Sequence, residues 1–321
     1  MDTTRVAINR ILCPVDFSEF SEHALRHAAA LARWYGAELR ALHVFAVPPA
    51  VDIIPPLNPS PRPRVSLTAA DRYRIAAEVQ RMAQRAAPGA SIEPVVQDAA
   101  SVHREIIVQA EQWPADLIVL GTHGYSGFEH LVLGSVAEKV LRLSPCPVLV
   151  VPNAVVEAPV AGDVGFDQVL AAVDFSESSL AALRFAMSIA EEADARLTVL
   201  NAIEVPPELQ RPPTSADNDV VAIRAQAEAE RLRCLGALIP EDVHTYCTVE
   251  TAVVEGKASR EILRHAEQRH SDLIVMGVQG RSGIDLMLFG SNTHDVIRQS
   301  QCPVLIVRNG AHRALVSGVE S

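Results

Sequence analysis

Two glycine-rich stretches and two aspartates carry the chemistry that this 321-residue sequence offers. Gly121-Thr122-His123-Gly124 is followed, nine residues later, by Gly134-Ser135 at the start of a helical pattern. Gly277-Val278-Gln279-Gly280 is followed at the same nine-residue distance by Gly290-Ser291. Glycines let backbone approach closely and adopt positive φ, so that successive N–H groups can face an anion. A helix that opens at Gly134-Ser135 adds free N–H groups, a favourable dipole and the Ser135 hydroxyl. Asp16 and Asp174 each end an apolar run just before a helix, where a carboxylate can accept hydrogen bonds from ribose hydroxyls. The same residues also fit a plainer reading, in which the glycines make tight turns and each aspartate caps a helix.

The elements that would position these residues occur twice. Ile11-Leu12-Cys13-Pro14-Val15-Asp16-Phe17-Ser18-Glu19 returns as Val169-Leu170-Ala171-Ala172-Val173-Asp174-Phe175-Ser176-Glu177, an offset of 158. Cys146-Pro147-Val148-Leu149-Val150-Val151 returns as Cys302-Pro303-Val304-Leu305-Ile306-Val307, an offset of 156. A repeat of that length is a whole domain rather than a solenoid unit. In the first copy, apolar runs predict strands at 10–16, 38–45, 92–97, 116–121 and 147–151. Helical patterns fall at 19–35, 68–86, 101–111 and 135–143, with Ser18 as an N-cap and Gly36 just past the first helix. Apolar strands alternating with helices imply a parallel sheet covered on both faces. The expected fold is therefore α/β: two tandem doubly wound domains, residues 1–154 and 166–309, each a five-stranded parallel sheet. In such sheets a ligand sits beyond the carboxyl ends of the strands, where the winding reverses, and Asp16 and Gly121 meet there. The Pro-rich segments 46–65 and 205–213 read as long surface loops, and 155–165 as a linker.

Bulk composition narrows the partners. A net charge of −11 argues against nucleic acid, which needs a basic face. Residues 1–155 carry 14 Lys+Arg against 15 Asp+Glu, while residues 156–321 carry 14 against 24, so the second half is the poorer host for a polyanion. No apolar stretch is long enough to span a bilayer, and the Met1-Asp2-Thr3-Thr4-Arg5 start lacks a signal-peptide pattern, so the expected location is the cytoplasm. Five cysteines without a Cys-x-x-Cys pair read as buried small hydrophobes. Lys139 and Lys257, the two lysines, lie outside any Walker A sequence, and Gly-x-Ser-x-Gly is absent. His23 and His27 lie one helical turn apart and read as a packed or solvated pair rather than metal ligands.

The Gly-x-x-Gly-x9-Gly-Ser pattern resembles the ATP-binding signature of the universal stress protein family. So do Pro-Val-Asp-Phe-Ser, Gly-Ser-Val-Ala-Glu-Lys-Val and Cys-Pro-Val-Leu-Val-Val, and the resemblance covers nearly the whole chain twice. It implies strand order 3-2-1-4-5 and one adenine-nucleotide site per domain. Pro14, Asp16 and the Val44 backbone would face ribose and adenine; Gly121, Gly124, Gly134, Ser135 and Val136 would hold phosphates, with His123 at the loop. The matching positions in the second domain are Asp174, Ala202, Gly277, Gly280, Gly290, Ser291 and Asn292. That copy departs from the first, with Ala172 for Pro14, Asn292 for Val136, His294 for Glu138 and Gln279 for His123, and Arg281 is a candidate extra phosphate contact.

The expected function is thus ATP binding in a stress response, with regulation rather than strong catalysis. Mg²⁺ could enter with the nucleotide near Asp16. The alternatives are a weak ATPase or phosphotransfer enzyme, or a scaffold whose second site has lapsed. The two domains should pair as a pseudo-dimer through their last apolar strands. Association of whole chains stays open.

Overall fold

Unbroken aliphatic runs become strands buried on both faces, and the intervening patterns become the helices that cover them. The computed structural model describes residues 5–47, 66–122, 133–152, 166–204, 218–278, 290–308 and 315–316. After a short β1 (Arg5–Val6), the first domain runs β2 (Arg10–Pro14), α1 (Glu19–Tyr35), β3 (Glu38–Ala46), α2 (Ala69–Ala86), β4 (Ile92–Ala99), α3 (Val102–Gln112), β5 (Leu117–Gly121), α4 (Ser135–Leu143) and β6 (Val148–Val151). The second runs β7 (Gln168–Ala172), α5 (Glu177–Ala193), β8 (Arg196–Ile203), α6 (Asn218–Ala237), α7 (Val243–Tyr246), β9 (Thr248–Glu255), α8 (Ala258–Gln268), β10 (Leu273–Gly277), α9 (Ser291–Gln299) and β11 (Val304–Val307), before β12 (Leu315–Val316). Ser18 caps α1 by accepting from the Ser21 N–H, and Gly36 closes that helix in the left-handed region at φ 65°. Most of the Pro-rich segments, the linker, His123, Gly124, Gly280 and Arg281 lie outside the described residues.

One sheet of ten strands crosses both domains in the order β4-β3-β2-β5-β6-β11-β10-β7-β8-β9. Within each domain all pairs are parallel, and the winding reverses between the first and fourth strands. At the seam, β6 and β11 run antiparallel, with Val304 opposite Val150, Leu305 opposite Leu149 and Ile306 opposite Val148. Register follows from alternation. Val148, Val150, Val304 and Ile306 enter the core shared by α3, α4, α8 and α9, while Leu149, Val151, Leu305 and Val307 enter the core under α1 and α5. A slip of one residue would set the wrong faces against each other. Each core is continuous through the seam, so the two domains share one interior on either side of the sheet.

The chain ends add a second link that the sequence pattern does not announce. β1 pairs antiparallel with β12, and the Val6 N–H donates to Ser188 Oγ on α5 at 2.9 Å. Ile8, Leu31 and Tyr35 of the first domain then face Phe166, Phe185 and Ile189 of the second around an apolar cavity.

At the opposite ends of the strands, matched aspartates tie the fourth strand to the first. Asp116 Oδ2 accepts from the N–H groups of Asn9 and Arg10 at 2.8 and 3.0 Å. Asp272 Oδ2 accepts from Asp167 and Gln168 at 2.7 and 3.0 Å. Asp272 Oδ1 is buried with no partner among the described residues. Burial pushes the Asp272 carboxyl up to about 6, against the pull of its backbone donors.

Two outcomes follow from this arrangement. Residues 1–155 expressed alone should dimerise, because a second copy would replace β11 on the open β6 edge; a monomer by light scattering at high concentration would count against the edge argument. Asp272 gives a pH signature. Between its ordinary 3.8 and about 6, the folded chain holds a proton that the unfolded chain has released. Its contribution to stability is therefore full below that window and lost as pH rises through it. Asp272→Asn should remove this part of the stability-against-pH curve, and parallel curves for parent and variant would refute it.

Candidate functional site

Asp16 and Asp174 sit in identical turns between the first strand and first helix of their domains. The parallel ladder ends two residues early, at Pro14 in the first domain and at the matching Ala172 in the second, rather than reaching residue 16 as the apolar run suggests. A last bond, Val15 N–H to Leu42 O, extends it by one residue, as Val173 N–H to Leu200 O does in the second domain, both at 2.8 Å. The chain then turns through Phe17 at φ 66° and Phe175 at φ 65°, a conformation that costs a bulky side chain energy unless its surroundings fix it. Neighbouring bonds do fix it. Asp16 Oδ1 accepts from the Ser18 N–H and hydroxyl at 3.1 and 2.5 Å, and Ser21 Oγ accepts from the Asp16 N–H at 3.3 Å. Asp174, Ser176 and Ser179 repeat the network at 3.0, 2.6 and 3.3 Å. From the second strand, His43 Nδ1 lies 2.9 Å from Val15 O, and at the matching position Asn201 Nδ2 donates to Val173 O at 2.7 Å. The helix caps are therefore Ser18 and Ser176 rather than the aspartates, each of which braces its capping serine through one carboxylate oxygen.

The glycines divide into two kinds. A Cβ on Gly121 would stand 2.8 Å from Phe20 O, and one on Gly277 would stand 2.6 Å from Ser178 Oγ and 2.7 Å from Ser179 N. These residues let the fourth strand touch the first turn of α1 or α5, and neither has positive φ. Helix–strand packing therefore explains them without a ligand. Gly134 and Gly290 are the N-caps of α4 and α9, at φ −58° with ψ 137° and 135°. Their N–H groups return to Thr122 O at 2.9 Å and Val278 O at 3.3 Å, which closes the intervening loop at its base. A glycine N-cap brings no side-chain acceptor, so it leaves the helix start to other partners.

In the second domain these pieces surround one open cleft of about 120 Å³ at the carboxyl ends of β7, β8 and β10. It gathers Asp174, Ala202, Gly277, Gly290, Ser291 and Asn292, every described candidate of that domain. Leu200, Ile262 and Met276 supply an apolar wall beside them. An apolar wall, a carboxylate and an open helix start suit a ligand that joins a flat apolar group to hydroxyls and an anion. In the first domain, Pro14, Asp16, Val44, Gly121, Gly134, Ser135 and Val136 occupy the matching ends of β2, β3, β5 and α4.

Several supporting residues escaped the sequence reading. Ser21 and Ser179, His43 and Asn201, and the left-handed phenylalanines all hold the aspartate turn. Their signal was the repeated Asp-Phe-Ser-x-x-Ser spacing. His27 lies buried in α1 with Nδ1 3.0 Å from His23 O, and burial holds its pKa below the ordinary value, so it is a packed core residue.

A tandem doubly wound fold with paired last strands and glycine-rich fourth-strand loops defines the class. The chain belongs to the universal stress protein family, whose profile matches residues 7–152 and 165–308. It is 33% identical over 147 residues to universal stress protein YxiE of Bacillus subtilis, covering 44% of this chain and 99% of that protein. Universal stress protein MJ0531 of Methanocaldococcus jannaschii is 36% identical over 143 residues, covering 44% of this chain and 82% of that protein. At full length, the fold is similar to a universal stress protein crystal structure from Archaeoglobus fulgidus, with TM-score 0.59, 22% identity and coverage of 94% and 97%.

Gly277→Ala should destabilise the chain by about 1–3 kcal/mol in urea unfolding, because backbone must move to admit the methyl group. A variant as stable as the parent would show that the glycine serves something other than this contact.

Proposed function

We propose that the chain binds adenine nucleotide, ATP in the first instance, and acts in stress response through nucleotide-dependent contacts rather than strong catalysis. The observation that supports this reading is the second-domain cleft, which unites six positions assigned from the repeat and the family resemblance. Asp174, and Asp16 in the first domain, would face the ribose hydroxyls. Each is held rigid by the serine network, so no rotamer freedom is lost on binding. The starts of α4 and α9 would take phosphate charge through backbone N–H groups and Ser135 or Ser291. Val44 and Ala202 lie at the carboxyl ends of β3 and β8, where their backbone groups can meet a base edge.

A phosphotransfer reading has less support. No group of three or more His, Cys, Asp or Glu residues that could hold a metal occurs among the described residues. Asp16, the acid just past the end of β2, has one oxygen committed to Ser18. Mg²⁺ would then be brought by the nucleotide rather than held by a protein cage.

Mass spectrometry of protein purified without added nucleotide should find adenine nucleotide, and calorimetry should show ATP binding. Asp16→Ala should weaken binding in the first domain by about 1.5–3 kcal/mol, the loss of a charge-assisted hydrogen bond. It should also cost about 1 kcal/mol of stability through the α1 start. Lost stability with unchanged binding would make Asp16 a brace for the cap alone, and steady release of ADP at enzymatic rates would replace the regulatory reading with the catalytic one.

A further inference from the structure

The two clefts descend from one repeat but differ around the helix that follows the third strand. In the second domain, the start of α8 is already occupied from within. Glu204 Oε1 accepts from the Ala258 N–H at 3.3 Å, and Asn292 Oδ1 accepts from the Ser259 N–H at 3.2 Å. Asn292 Nδ2 in turn donates to Glu204 Oε1 at 3.4 Å. Asp295 Oδ2 accepts from Lys257 Nζ at 2.7 Å and from Ser259 Oγ at 3.3 Å. Asn292 is the second residue of α9 and lines the cleft, so the Glu204 carboxylate stands one hydrogen bond from the helix start assigned to phosphate.

None of these groups exists in the first domain. Ala46 stands where Glu204 does, Val136 where Asn292 does, and Lys139 where Asp295 does. The N-cap Ser101 of α3 makes no side-chain capping bond and places its hydroxyl 3.1 Å from His103 Nδ1. Burial and the nearby Lys139 ammonium hold the His103 pKa below its ordinary value, which marks a cation beside this helix start. The α3 start thus has Lys139 near it, with no acid paired to it among the described residues, whereas at the α8 start Lys257 is paired with Asp295 and Glu204 adds a further carboxylate.

Building on the nucleotide reading above, we propose that the clefts select different ligands: the first takes the nucleoside triphosphate, and the second takes an adenine nucleoside carrying at most one phosphate. Glu204 and Asn292 fill the start of the neighbouring α8 with acceptors of their own, and the Glu204 carboxylate, hydrogen-bonded to Asn292 of α9, repels a phosphate chain laid along α9. A nucleoside avoids that penalty and keeps the wall of Leu200, Ile262 and Met276 and the Asp174 carboxylate.

Calorimetry on the full chain with ATP, AMP and adenosine tests this. ATP should titrate at about one per chain and AMP at about two. Glu204→Ala combined with Asn292→Val should create a second ATP site, improving affinity there about tenfold, equivalent to about 1.4 kcal/mol. The converse change, Ala46→Glu, should weaken ATP binding in the first domain by a similar factor. Glu204 and Ala46 are exposed, and thermal melting would verify that the variants fold. Should a variant not fold, the stoichiometry of the unaltered chain decides. Two equivalent ATP sites, or ATP binding indifferent to all three changes, would overturn the selectivity alone. Failure of ATP, AMP and adenosine to bind either cleft would instead overturn the nucleotide reading beneath it.

Discussion

The antiparallel pairing of β6 with β11 is the constraint on which the rest of the molecule depends. Each of these strands is a run of four residues buried on both faces, too apolar to stand as an open sheet edge. Joining them gives ten continuous strands and two shared cores, and it fixes the geometry of function as well. Because the seam reverses strand direction, the carboxyl ends of the two domains point opposite ways, and so do the clefts built on them. A ligand in one cannot touch a ligand in the other, so communication between them would pass through packed structure. One physical link is on hand. Arg308, just beyond β11, donates to Ser144 O at the carboxyl end of α4, the helix whose other end opens on the first cleft.

Within each domain, the aspartate turn is the local counterpart of that seam. A left-handed phenylalanine between an aspartate and a capping serine is costly on its own, and it persists because several bonds converge on the three residues. The result is a carboxylate placed at a strand end with little freedom to move. Bracing the capping serine leaves the second carboxylate oxygen outside that network. Oδ1 secures the helix start, and that bond is what orients the side chain toward the crevice beyond the strands.

Much of the fold was legible because the strands are apolar on both faces and the repeat doubles every signal. The helices at 19–35 and 135–143 coincide with α1 and α4, and strand ends shift by two residues or fewer. What could not be read depended on contacts between distant segments. β1 and β12 have two residues each, too few for any period, and exist because they pair with each other while Val6 bonds to Ser188 on α5. α7 is a single turn in the second copy with no counterpart in the first copy's pattern. The close approach of Gly121 to Phe20 needs the helix to be in place before the glycine can be understood. Glu204 follows directly on β8 and gives no motif; its importance appears only when Asn292 and the start of α8 stand beside it.

That difference bears on how a duplicated site should be judged. The fourth-strand glycine is retained in both copies, which invites the inference that both copies still bind the same ligand. Packing alone is enough to retain it, since any side chain at Gly277 would collide with the start of α5 whether or not a phosphate ever arrives. Survival of the fourth-strand glycine therefore measures the integrity of the fold. Ligand chemistry is recorded at the positions that the fold leaves free to change, and in this chain those are Ala46 against Glu204, Val136 against Asn292 and Lys139 against Asp295. These three changes bring acceptors or negative charge, while Lys257 for Ser101 and His294 for Glu138 run the other way and Lys257 pairs with Asp295, which leaves Glu204 and Asn292 as the acceptors added beside the second cleft. These positions act together in the second domain, where Glu204 and Asn292 bond to each other and to the start of α8 while Asp295 holds Lys257 and Ser259 beside them.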